Sequence, residues 1–174
     1  AGQWWANEGK TWRERFLDWL RKQFPGATVQ EIAAYQGGRG TEYGVRMIDE
    51  KVIPAGADLC FITLGLNDAN SAVGKPPKRS LEAFTQDIDN MVTRTLGANV
   101  ETIIVTEMQP SPFHPNKVAE RWPRYVAALR DLAAKHGCGL ADVYAEWMNL
   151  ATRGIPPFSQ LHNWHNHPGE FGHG

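Results

Sequence analysis

Cysteine is nearly absent: Cys60 and Cys138 are the only two, far apart in apolar surroundings. That excludes a disulfide framework and predicts two buried free thiols. An excess of one charge is also missing. The 18 basic and 19 acidic residues leave a formal net charge of −1, so no field draws the chain to nucleic acid or an anionic membrane. No apolar stretch approaches the ~20 residues of a membrane span. The longest, around Leu59–Leu66, is the length of a strand. Three sequence signatures are lacking as well. No Gly-Lys-Ser/Thr ends a phosphate loop, the glycine spacing of a dinucleotide fingerprint is not met, and there is no Gly-x-Ser-x-Gly elbow. What remains is ordinary globular composition, 42% hydrophobic and 21% charged, which excludes disorder, collagen and coiled coil. At 174 residues the chain is sized for one domain burying roughly two-thirds of its unfolded surface.

Periodicity then divides the chain. Trp12, Phe16, Leu17, Trp19, Leu20 and Phe24 recur at helical spacing until Pro25-Gly26. Residues 28–34 are a short strand candidate, followed by the loop Gly37-Gly38-Arg39-Gly40 and a helix from Thr41 to about Val52. Residues 58–64 are nearly all apolar, the mark of a strand covered on both faces. A polar loop from Ala69 to Arg79 leads to a helix from Ser80, a good cap, to Leu96. A third strand runs from Val100 to Thr106, and a proline-rich loop from Gln109 to Asn116. A long helix then starts at Val118 or Pro123 and ends at His136. Residues 138–141 are a fourth strand candidate, Asp142 caps a short helix to about Leu150, and Ala151 to Gly174 is loop. Alternating helices and strands predict an α/β fold: a parallel sheet with helices on both faces and no second domain.

Ligands in such folds bind at the carboxyl ends of the strands. Four loops fall there: 35–40, 65–70, 109–116 and the histidine-rich end. In the first, glycines between a strand and a helix either let a backbone N–H face an oxyanion or simply turn the chain. In the second, Asn67 is either an amide donor to developing negative charge or an Asx-turn, and Asp68 a cap for the following turn. In the last, His162, His165 and His167 sit close enough in sequence for a divalent ion, with Glu170 the sole nearby carboxylate. A histidine beside proline, His167-Pro168, equally suits a general base.

Taken in order, these loops resemble the SGNH/GDSL hydrolase family. Tyr35-Gln36-Gly37-Gly38-Arg39-Gly40-Thr41 is similar to its Asn-x-Gly-x-x-Gly-Thr block, with Tyr35 in place of Asn. Gly65-Leu66-Asn67-Asp68 matches its Gly-x-Asn-Asp block, and His167-Pro168 with Gly172-His173 its final block. The resemblance spans Trp12 to His173. It implies a three-layer α/β/α, flavodoxin-like sandwich and ester hydrolysis through a Ser-His mechanism. Gly40 N–H and the Asn67 amide become oxyanion donors and His167 the catalytic base. The implied substrate is a small ester or an acetylated carbohydrate, with no cofactor. Trp4, Trp5, Trp122 and Trp164 are available to stack on sugar rings, with core packing as the alternative.

Two departures qualify that reading. The triad aspartate expected three residues before His167 is Trp164, and the neighbouring Asn163 carries no charge to stabilise an imidazolium. The Gly-Asp-Ser nucleophile block is missing, and Ser71, Ser80, Ser111 and Ser159 do not replace it. The chain opens at Ala1-Gly2-Gln3 and closes at His173-Gly174. The expectation is therefore a single domain over residues 1–174, truncated at both ends. It lacks the first strand and, by itself, serine-hydrolase activity. Two rivals stand beside it: a metal-dependent hydrolase built on His162, His165 and His167, and a non-catalytic carbohydrate-binding domain. Compartment and oligomeric state are left open.

Overall fold

Helix α1, Trp12–Gln23, starts where a capping box forms: Thr11 accepts from the Glu14 backbone and the Glu14 carboxylate takes the Thr11 N–H. The computed structural model describes residues 10–161, 165–169 and 172. The chain continues through α2, Thr41–Met47, extended by a π-turn over Ile48–Val52, and β1, Leu59–Ile62. A single helical turn, α3, Leu66–Ala69, follows. Then come α4, Leu81–Gly97, β2, Glu101–Thr106, α5, Val118–His136, β3, Gly139–Asp142, and α6, Val143–Thr152. A 3-10 turn, Pro157–Gln160, follows α6.

The sheet is parallel and ordered β1-β2-β3. Register pairs Phe61 with Ile103 and Ile62 with Ile104, so alternate residues share a face. Thr102 bonds Thr95 of α4 through their hydroxyls at 2.7 Å, which puts Thr102 and Ile104 under α4 and α5. On the other face Phe61 meets the rings of Trp12 and Phe16 of α1 at 5.9 and 5.0 Å. This is the expected α/β sandwich, with helices on both faces. Its core centres on Phe84, Ile88, Met91, Ile104, Trp122 and Leu129, all fully buried.

The strand expected at residues 28–34 is not formed. A strand needs a ladder partner for its N–H and C=O groups. Among the described residues β1 pairs only with β2. Residues 28–36 run instead as extended chain, with Ala34 N–H turned back to Ile32 C=O, and are tied to α1 by the Arg13–Glu31 ion pair. The thiols are free as expected, but each is only partly buried, and burial pushes the Cys60 thiol up to about 11.

Pro123 lies inside α5 and leaves the Ala119 carbonyl without its donor four residues on. The Gln109 amide donates to that carbonyl at 3.2 Å. The side chain fills the gap the proline opens, and it fixes the loop that leaves β2 against α5.

Candidate functional site

Loops at the carboxyl ends of the strands meet through Gly65. Its φ of +139° lies in the glycine-favouring region, and a Cβ there would stand 2.7 Å from the Trp122 ring and 3.1 Å from Phe84. Both rings are fully buried, so neither can retreat. The turn drives the chain into α3 and presents Asn67 at the sheet's edge.

Asn67 Nδ2 donates to the Arg39 carbonyl at 3.0 Å. An amide nitrogen carries two hydrogens, so this bond aims the group and leaves a second donor. Asp68 does not cap its own turn. Its Oδ1 accepts from the Thr41 backbone N–H at 2.9 Å and from the Thr41 hydroxyl at 2.7 Å. It thereby caps α2, whose N-cap is Gly40, from across the site. A Cβ on Gly40 would sit 2.7 Å from that same carboxylate, so only glycine admits this approach. Gly40 and Asn67 are thus brought together.

The Thr41 hydroxyl also lies 2.7 Å from Asp87 Oδ2, and Asp87 is gripped by the Arg79 guanidinium at 2.9 and 3.0 Å. One hydroxyl hydrogen cannot serve two carboxylates. Asp68, 2% exposed, has its carboxyl pushed up by burial, against the pull of Thr41, and the Asp87 charge adds to the rise.

The histidine-bearing stretch reaches the site by another route. Ser111 N–H donates to the His165 carbonyl at 2.7 Å, and the His114 and His165 rings meet edge to face at 5.4 Å. Leu161 bridges Pro168, and Gly169 N–H donates to Gln160 C=O at 2.8 Å, so His167 is tethered just after itself by these contacts and just before itself by His165. Asn116 Nδ2 donates to Asn70 Oδ1 at 3.0 Å, tying the 109–116 loop to the Asn67 loop. Four loops are therefore stitched in series: Arg39 to Asn67, Asn70 to Asn116, Ser111 to His165.

Each serine among the described residues has a structural engagement. Ser71 is buried and accepts from Arg121 at 2.6 Å, and Ser80 caps α4. Ser111 is fully buried and accepts from Phe113 N–H, and Ser159 donates to Pro156 C=O. Trp122 is fully buried, its indole N–H on the Glu107 carbonyl, and so is core rather than a sugar platform. Among the described residues no three of His, Cys, Asp and Glu could hold a metal ion. Trp4, Trp5, His162, Asn163, Trp164, Glu170 and His173 lie outside the described residues.

One group escaped sequence reasoning. Glu107, just past β2, accepts from Leu66 N–H at 2.9 Å. Burial, reinforced by Asp68's charge and opposed by the Leu66 N–H, raises its carboxyl to about 7. Its signal was a carboxylate two residues after the apolar run 103–105, at the ligand-binding end of a strand.

A family model described as "GDSL-like Lipase/Acylhydrolase family" matches residues 1–174. Solved structures agree in fold. An acetylxylan esterase from Geobacillus stearothermophilus, a catalytic mutant, superposes with a TM-score of 0.80 at 17% identity, covering 95% of this chain and 76% of that one. An alpha/beta hydrolase from the metagenome of Lake Arreo gives 0.77 at 20% identity, covering 94% and 76%. A lipase/acylhydrolase from Enterococcus faecalis gives 0.67 at 19% identity, covering 90% and 77%. No curated protein matches detectably.

Proposed function

The chain belongs to the GDSL-like lipase/acylhydrolase family, a family of carboxylic ester hydrolases, and we propose that it removes acyl groups from acetylated carbohydrate by a Ser-His mechanism. The observation that carries this reading is the series of hydrogen bonds joining the Gly40, Asn67 and His167 loops. In the proposed reaction a serine hydroxyl attacks the ester carbonyl carbon while His167 takes its proton. The carbonyl π electrons move to oxygen, and Gly40 N–H and the second Asn67 N–H donate to that oxyanion. Collapse breaks the bond to the alcohol, which leaves with the proton from His167. Water then attacks the acyl-serine, His167 again serving as base, and the acid departs.

The attacking serine lies outside residues 1–174 in this reading, because the four serines present are a helix cap, two buried loop partners and a turn donor. A serine–histidine pair is supported by the esterase from Geobacillus stearothermophilus, solved as catalytic mutants with a serine or a histidine replaced by alanine. Acetylated sugar as substrate rests on the same similarity. The test is acetate release from acetylated xylo-oligosaccharides by the natural protein that contains residues 1–174, with and without EDTA. Release unaffected by EDTA is expected. Release abolished by EDTA transfers the activity to a metal centre, and binding of the glycan without release makes the chain a carbohydrate-binding domain.

A further inference from the structure

We propose that Glu107 is a positioning residue, which sets the Asn67 amide by holding the peptide N–H directly before it. The proposal rests on the reading of Asn67 as an oxyanion donor. Its basis is geometric. Asn67 stands between two residues that are each pinned. On its C-terminal side Asp68 is bonded to Thr41 at the head of α2. On its N-terminal side Leu66 N–H is bonded to Glu107 Oε2 at 2.9 Å. Neither pin comes from the Asn67 loop itself: one reaches α2, the other the end of β2. Gly65, between β1 and Leu66, already takes the sharp turn at φ +139°, so the Leu66 N–H is the first group after that turn whose direction the rest of the protein controls. Glu107 is itself steadied from α5, where the Trp122 indole donates to its backbone carbonyl at 3.1 Å.

A carboxylate acceptor makes the stronger, shorter bond to an N–H. A protonated carboxyl weakens it and brings an O–H of its own that needs an acceptor. Among the described residues the titratable group whose charge acts on Glu107 is Asp68, from α3, while α5 presents the uncharged Trp122. With its carboxyl raised to about 7 by burial, Glu107 changes state within the neutral range. The Leu66 pin, and with it the aim of the Asn67 amide toward Arg39, is then tight above neutrality and loosened below.

The experiment is a pH titration of the chain, followed by amide nitrogen and proton resonances from pH 5.5 to 8.5. The Leu66 N–H and both Asn67 side-chain N–H resonances move together with a midpoint near 7, and Glu107→Gln removes both movements. In the unmodified chain the Glu107 carboxyl carbon shows the same midpoint, which keeps the test intact should the variant fail to fold. Asn67 resonances that titrate unchanged in Glu107→Gln, or that stay still while the Glu107 carboxyl titrates, overturn the proposal. The readout does not involve turnover. Coupled movement in a protein that cleaves no ester upholds this inference while removing the hydrolase reading.

Discussion

Replacing Gly65 with alanine separates two costs that most glycine substitutions confound. The first is conformational: at φ +139° and ψ −34° an L side chain is strained by about 1–3 kcal/mol. The second is steric. The new Cβ would stand 2.7 Å from two carbons of the Trp122 ring and 3.1 Å from Phe84, and both rings are fully buried with no open space to enter. Overpacking of a closed core costs about 1–3 kcal/mol. Together the loss is about 2–6 kcal/mol, a large share of the ~5–15 kcal/mol that stabilises a domain. Gly56→Ala is the control, because its φ is +63° but nothing lies within 4 Å of the added carbon. It bears the conformational cost alone, about 1 kcal/mol. Urea unfolding followed by tryptophan fluorescence reads both. If Gly65→Ala loses no more than Gly56→Ala, the contact with Trp122 does not constrain the turn and the reasoning fails.

Glu107 has a folded-state value near 7 against an ordinary 4.5, so its contribution to stability is full below 4.5 and lost as pH rises through about 7. At 1.36 kcal/mol per pH unit the fall reaches at most about 3 kcal/mol. Unfolding free energies at pH 5 and pH 8 differ by about 2.5 kcal/mol more in the natural chain than in Glu107→Gln, and equal differences contradict the burial argument. Gln109→Ala leaves the Ala119 carbonyl without a donor and costs about 1–2 kcal/mol. In a Pro123→Ala background, where the backbone supplies its own N–H, that cost shrinks toward zero, and a double-mutant cycle showing additivity refutes the pairing. Asp68→Ala removes the oxygen that accepts from both the Thr41 N–H and hydroxyl, and lowers the melting temperature. No loss on thermal unfolding would show that α2 needs no cap from Asp68.

The architecture was legible wherever one apolar pattern had one explanation. Residues 100–106 read as a strand and form β2, whereas β1, expected to be covered on both faces, leaves Leu59 exposed; Ser80 and Asp142 cap α4 and α6 as their positions imply, accepting from Ala83 and Ala145 N–H. Residues 28–34 had the composition of a strand, but pairing is a property of two segments, and composition describes one. That the Gly40 and Asn67 loops meet was legible through the family motifs, which place both at strand ends. The work of Asp68 was not, because the local rule that an aspartate caps the turn it precedes competes with a cap 27 residues upstream. Glu107 stayed hidden for a related reason. What makes it distinctive is the Leu66 N–H, 41 positions away, and the burial that raises its carboxyl.

The central claim is that Gly40, Asn67 and His167 serve one reacting centre. Ester hydrolysis by Asn67→Ala and His167→Ala variants of the natural protein containing residues 1–174 tests it most directly. Loss of one oxyanion donor lowers kcat by about 10²–10³ with KM little changed. Loss of the base lowers it at least as far, and the double variant falls no further than the worse single one. Variants that keep the parent kcat, or losses that simply multiply as they do for unconnected sites, contradict the account.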